Sequence, residues 1–217
     1  HFEFWLFFEA ERAIVKTLHF SDAPDTPPIR IELPVSTVLK LASTIAHGVP
    51  GMAGPMQRLL TALHGSTDRS GPAHRIFPSA RDCRFNEMEY ELPIEHGPAC
   101  LDEILHTVRK AGLRTLFPLE YRTVAADDAW LSPFYGRDSA SISVHQYHRA
   151  DWRPLFAVVE PILRRHGGRP HWGKLHTLTA GELAPLYPRW DDFARVRRAL
   201  DPQGRLLNPH LREVLGA

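Results

Sequence analysis

Three short stretches hold residue types that can do chemistry. In Leu119-Glu120-Tyr121-Arg122, the two-residue side-chain period of a strand sends Glu120 and Arg122 to one face, within reach of each other. A carboxylate beside a guanidinium can orient the hydroxyl groups of a polar substrate. The same spacing also suits an exposed ion pair, which is nearly neutral in energy. In 144–148 (VHQYH), His145 and Tyr147 share one face, while Gln146 and His148 share the other. Histidine takes a proton near neutral pH and tyrosine donates a hydrogen bond, a pairing suited to oxidation of an alcohol; a hydrogen-bonded structural histidine is the other reading. In 169–174 (RPHWGK), Pro170 restricts the backbone and Gly173 permits close approach, and Trp172 and Lys174 point the same way if the segment is extended. A fixed lysine there can stabilise negative charge that builds up on a bound group. A packed ring and a solvated cation are the alternatives.

The elements that position these residues follow from hydrophobic periodicity. Residues 1–8 (HFEFWLFF) and 14–20 (IVKTLHF) read as strands, and 22–28 as a turn-rich connection. Val38, Leu41, Ala42 and Ile45 mark a helix with Ser36 as N-cap and Gly48 as its stop, and a second helix spans 56–63. Residues 66–80 have the composition of a loop. In 85–93 (FNEMEYELP), Glu87, Glu89 and Glu91 alternate with Met88, Tyr90 and Leu92, the pattern of a half-buried strand with one acidic and one apolar face. Cys100, Leu101, Ile104, Leu105 and Val108 define an amphipathic helix with Gly112 beyond it. Strands at 116–126 and 140–148 flank a loop at 127–138, and a helix at 154–166 stops at Gly167-Gly168. Further on come a helix at 191–200, capped by Asp191 or Asp192, and a short terminal helix capped by Asn208 with Pro209 in its first turn. This order predicts an α+β fold, mainly an antiparallel sheet with helices on one face.

Composition narrows the function. The 217 residues carry 26 Lys and Arg against 25 Asp and Glu, a formal charge of +1, so no bulk field gathers nucleic acid or acidic lipid. Two cysteines, Cys83 and Cys100, are too few for a disulfide scaffold, and a reducing cytoplasm is the simpler expectation. The thirteen histidines form no metal-ligand spacing, so no metal site is expected. There is no G-x-G-x-x-G, Walker A or G-x-S-x-G motif, and no run as apolar as a membrane helix. A start at His1, inside a strand-like run, raises the expectation that a segment has been removed upstream.

Taken together, HFEFWLFF, FNEMEYELP, PLEYRTVAADDAWLSPFYGRDSASISVHQY, HWGK and the tail FARVRRALDPQGRLLNPHL resemble, in order, the C-terminal half of the sugar-lactone oxidases. That group contains D-arabinono-1,4-lactone oxidase and L-gulono-1,4-lactone oxidase, with alditol oxidases as near relatives. The resemblance implies a flavoenzyme with the vanillyl-alcohol-oxidase-like architecture, whose separate N-terminal domain holds FAD, often through a covalent histidine. Residues 1–168 would be the cap or substrate domain, and 169–217 a C-terminal segment that returns to the FAD domain. By position, Glu120 and Arg122 fall on the family's Glu-x-Arg pair at the substrate, His145 on its active-site histidine and Lys174 on the lysine of its His-Trp-x-Lys motif. His171 and Trp172 would join Lys174 beside the flavin, and Tyr147 would lie at the substrate. Asp127, Asp128, Arg137 and Asp138 also match, in a catalytic or a loop-shaping role.

The reaction so implied removes two hydrogens from a CH–OH group of a sugar lactone, with His145 as base and oxygen or another acceptor reoxidising the flavin. An alditol oxidase acting on open-chain polyols is the alternative within the same chemistry. A non-catalytic carbohydrate-binding or assembly domain is the alternative outside it.

Overall fold

The computed structural model describes residues 1–26, 35–49, 51–78 and 83–216. Strands β1 (Phe2–Leu6), β2 (Ala13–Thr17), β3 (Phe85–Pro93), β4 (Leu119–Val124), β5 (Ser139–Tyr147) and β6 (Arg169–Pro170) form one sheet in the order β2-β1-β4-β5-β3-β6. All its strand pairings are antiparallel. The helices are α1 (Val35–Gly48), α2 (Ala53–Leu63), α3 (Ala73–Ile76), α4 (Gly97–Lys110), α5 (Arg153–Arg165), α6 (Ala180–Leu183), α7 (Trp190–Leu200) and α8 (Pro209–Leu215).

Strand alternation divides the sheet into two chemically different sides. Met88, Tyr90 and Leu92 of β3, Leu119 and Tyr121 of β4, and Ala140, Ile142 and Val144 of β5 belong to one hydrophobic core. The same core takes Cys100, Ile104 and Val108 from α4 and Phe156, Val159 and Leu163 from α5. Full burial of each Val, Leu, Ile or Phe contributes about 1.5–3 kcal/mol, so this side carries the stability of the sheet. Gly97 sets how closely α4 approaches: a Cβ there would lie 2.5 Å from the Cβ of Ala140. Gly112, with φ +65°, turns the chain out of α4 in a conformation that side chains other than glycine resist.

Residues beyond 168 join the same body. β6 pairs with β3, and Leu178, Leu183, Tyr187 and Val214 enter the same core. Glu160 of α5 fastens this segment, accepting from Tyr90 Oη at 2.6 Å and from both the backbone N–H and the hydroxyl of Thr177 at 2.7 Å.

The α+β expectation, with an antiparallel sheet and helices on one face, matches the fold. Several boundaries differ. The second strand ends at Thr17, where Phe2 takes its last partner, and leaves Phe20 exposed. α2 begins three residues earlier than expected, and α3 interrupts the expected loop. β3 is buried on both faces along most of its length, because neighbouring side chains cover its glutamates. The N-cap of α7 is Arg189; Asp191 and Asp192 lie inside the first turn, where a carboxylate still favours the helix dipole. Asn208 caps α8, accepting from the Leu211 N–H at 2.8 Å. The side chain of Ser36, residues 27 and 28 of the turn-rich connection, and residues 79 and 80 of the expected loop lie outside the described residues.

Candidate active site

The side of β3, β4 and β5 turned away from α4 and α5 is polar. Register places Glu87, Glu89 and Glu91 of β3 directly opposite His145, Ser143 and Ser141 of β5. On the other edge of β5, Glu120 and Arg122 of β4 stand opposite Ser143 and Ser141. Small serines on the central strand leave room for the long side chains on either side to meet above it. Arg122 Nη2 lies 3.2 Å from Glu89 Oε1, and its Nε lies 3.7 Å from Glu120 Oε1. Ser141 donates to Glu89 at 2.9 Å. The Lys174 ammonium pairs with Glu87 and lies 3.8 Å from Glu89 Oε2. His145 Nε2 lies 3.3 Å from Glu87 Oε1. One unbroken chain of charge therefore runs Glu120, Arg122, Glu89, Lys174, Glu87, His145.

Exposure orders this chain. The side chains of Glu87, Glu89 and Glu120 are 7–9% exposed, whereas Lys174 is 26% and Arg122 34% exposed. The carboxylates are the buried members of the network, and Arg122 and Lys174 are its more exposed ones. Burial works to raise the Glu87 carboxyl, but hydrogen bonds and charge from His145 and Lys174 outweigh it and hold the group at about 2. Glu91 has the opposite fate. Fully buried beside the Glu89 charge, it is pushed up to about 9, against the pull of Arg122 and Arg137. Its two carboxyl oxygens and the Nε of Arg122 are buried with no hydrogen-bond partner among the described residues. A buried donor without a partner favours an arriving hydroxyl oxygen.

Four of the residues expected from sequence therefore meet: Glu120, Arg122, His145 and Lys174. Three do not join them. Tyr147 lies on the same face of β5, but its hydroxyl is 3.2 Å from Thr44 Oγ1 of α1 and its ring packs with Cys83 and Phe117. Trp172 and Lys174 do not share a direction, because 171–174 is a turn closed by a Lys174 N–H to His171 C=O bond of 3.1 Å. The Trp172 ring packs with Tyr187 and Trp190, and its N–H donates to the Leu131 carbonyl at 2.7 Å. His171 Nδ1 accepts from the Gly173 N–H at 3.0 Å, within the turn. Asp127 and Asp138 brace the 127–138 loop, accepting from Ser132 Oγ at 2.6 Å and from the Ala126 N–H at 2.9 Å, and Asp128 is exposed. Arg137 donates to the Glu91 carbonyl at 2.8 Å.

Glu87, Glu89 and Glu91 were not expected in the site. Their alternation reads equally well as a solvated face. The signal that distinguishes the two is the partner strand, whose small polar residues at 139, 141 and 143 leave the glutamates room to pair.

The chain is an α+β protein whose antiparallel sheet has one apolar face, packed against α4 and α5, and one charge-paired polar face opposite. The chain belongs to the D-arabinono-1,4-lactone oxidase family, whose sequence profile matches residues 1–214. It is 39% identical over 221 residues to L-gulono-1,4-lactone dehydrogenase of Mycobacterium tuberculosis, covering 100% of this chain and 52% of that protein. It is 35% identical over 194 residues to alditol oxidase of Streptomyces sp., covering 85% and 44%. With L-gulonolactone oxidase of Scyliorhinus torazame the identity is 35% over 140 residues, covering 61% and 32%. The chain thus spans about half the length, or less, of these curated relatives. Among the described residues, no helix is long and apolar enough to cross a membrane.

Proposed function

We propose that this chain supplies the substrate-binding face of an FAD-dependent oxidoreductase that oxidises a CH–OH group of a sugar 1,4-lactone, of the L-gulono- or D-arabinono- type. The observation that carries this reading is the continuous network from Glu120 to His145, with Arg122 and Lys174 as its more exposed members. A lactone presents several hydroxyls and a carbonyl, and the network offers both donors and acceptors at fixed spacing. Glu120 and Arg122 hold hydroxyls next to the reacting carbon. Lys174 offsets negative charge as the C–H bond breaks.

The residues present fit the substrate-facing side of a flavin site: the partly exposed Lys174 ammonium suits a ring that gains negative charge, and the His171 turn lies beside it. When bound, the flavin supplies a two-electron acceptor for the hydride. The phosphate-holding part of the cofactor falls to a separate FAD domain, to which 169–217 would return, and oxygen or another acceptor would take the electrons. The buried free thiols of Cys83 and Cys100 support a reducing, cytoplasmic setting.

Steady-state oxidation by the intact flavin-loaded protein tests the reading. L-Gulono-1,4-lactone and D-arabinono-1,4-lactone should be turned over with a higher kcat/KM than xylitol or sorbitol. Preference for the polyols would make it an alditol oxidase. No turnover of either class, with flavin bound, would leave a carbohydrate-binding role.

A further inference from the structure

Resting on that reading, we infer that Glu87 is a positioning residue, a carboxylate whose contact with His145 makes both imidazole nitrogens donors, so that the ring serves the site as a fixed cation and not as its base. His145 has an acceptor at each nitrogen. Nδ1 lies 3.1 Å from the carbonyl oxygen of Pro118, which can only accept, so Nδ1 carries a proton. Nε2 lies 3.3 Å from Glu87 Oε1. Glu87 in turn is gripped by the Lys174 ammonium from the far side and is 9% exposed, so it has little freedom to turn away.

The surroundings of the ring leave no third direction for a substrate proton. Phe85 meets it edge-on at 5.1 Å between centroids, Phe117 lies 6.1 Å away, and the His145 carbonyl accepts from Thr115 at 2.8 Å. The charged groups on the strands beside it are Glu87 and Glu89 from β3 and Glu120 and Arg122 from β4, with Lys174 from the turn after β6. With His145 cationic, the ionised groups of this network balance: Glu87, Glu89 and Glu120 against Arg122, Lys174 and His145. The substrate hydroxyl proton must then leave to another acceptor. Glu120, with a single ion-pair contact to Arg122 at 3.7 Å, is the carboxylate of the network left to accept it.

The test is ring-nitrogen NMR of the intact, histidine-labelled protein at pH 7, with the His145 signals assigned from a His145→Gln variant. The expected result is two protonated nitrogens in the wild type and one bare nitrogen in Glu87→Gln. In parallel, Glu87→Gln should lower kcat for the lactone by at least about 10-fold, the low end of the losses seen when a hydrogen-bonding partner that orients a functional histidine is removed, with a smaller change in KM. A bare nitrogen on His145 in the wild type overturns the inference. So does a Glu87→Gln variant with unchanged kcat. The wild-type spectrum decides even if that variant fails to fold. Absence of lactone turnover alongside a doubly protonated ring would instead sink the proposed substrate.

Discussion

Glu87 and His145 face each other across the β3–β5 ladder at 3.3 Å, and Lys174, 87 residues further along the chain, closes on the same carboxylate. A carboxylate this buried is tolerated because it has partners on two sides; removing one leaves its charge buried and only partly compensated.

Lys174→Ala should therefore lose stability as well as activity. Loss of hydrogen bonding to a charged group costs about 1.5–3 kcal/mol, and urea unfolding of the intact protein should register a fall of that size. A variant as stable as the parent would mean that the Lys174–Glu87 pair contributes nothing to the fold.

Arg122→Lys keeps the charge but not the fork. One ammonium cannot reach Glu89, Glu120 and Ser143 from the geometry the guanidinium now occupies. A drop in kcat/KM of about 10–100-fold is expected, since each 1.36 kcal/mol of lost transition-state binding is tenfold. Steady-state kinetics with the lactone should reveal it, and equal kinetics would remove Arg122 from the substrate contacts.

Glu91→Gln should change how stability depends on pH. The carboxyl rises from 4.5 in the unfolded chain to about 9 in the fold. Between those values the folded protein keeps a proton that the unfolded chain releases, so stability from this group is full below pH 4.5 and declines up to about pH 9. Glutamine has no such proton. The melting temperature of the variant, relative to the parent, should rise between pH 5 and pH 9; a constant difference would show that Glu91 is ionised in the fold.

Tyr147→Phe separates a substrate contact from a structural one. The hydroxyl is engaged with Thr44, so its loss should cost about 0.5–1.5 kcal/mol of stability, the worth of one hydrogen bond, and leave KM for the lactone unchanged. A large rise in KM would return Tyr147 to the substrate.

Gly97→Ala adds a methyl against Ala140 and Tyr121. Overpacking of this kind costs about 1–3 kcal/mol, visible in thermal unfolding. Unchanged stability would mean that α4 can withdraw from the sheet without penalty.

Much of this was legible in the sequence, for reasons that differ by element. β4 and β5 are readable because the two-residue period fixes which side chains of a strand share a face, which pairs Glu120 with Arg122 and His145 with Tyr147; that the two pairs belong to one site comes from the family resemblance. Lys174 was assigned to the site by family resemblance, whereas its direction depended on whether 171–174 is extended or turned, which local propensity does not decide. β3 was read as half-exposed because three glutamates look like a solvated edge; only the register against Ser141 and Ser143 makes them buried members of a network. Tyr147 failed to reach the other site residues because α1, distant in sequence, offers its hydroxyl a partner in Thr44. Tertiary partners of this kind leave no local mark on the chain.

The ladder between β3 and β5 has a consequence for evolution and design. Shifting one strand by two residues would still set apolar side chains against α4 and α5, because Met88 and Tyr90 would again face Ile142 and Ala140 as a set. The same slip would carry Glu87 from His145 to Ser143 or Tyr147 and dismantle the charge pairing. Apolar patterning alone therefore does not fix how the two strands align; the charged face does, because only the observed alignment gives Glu87 its partners.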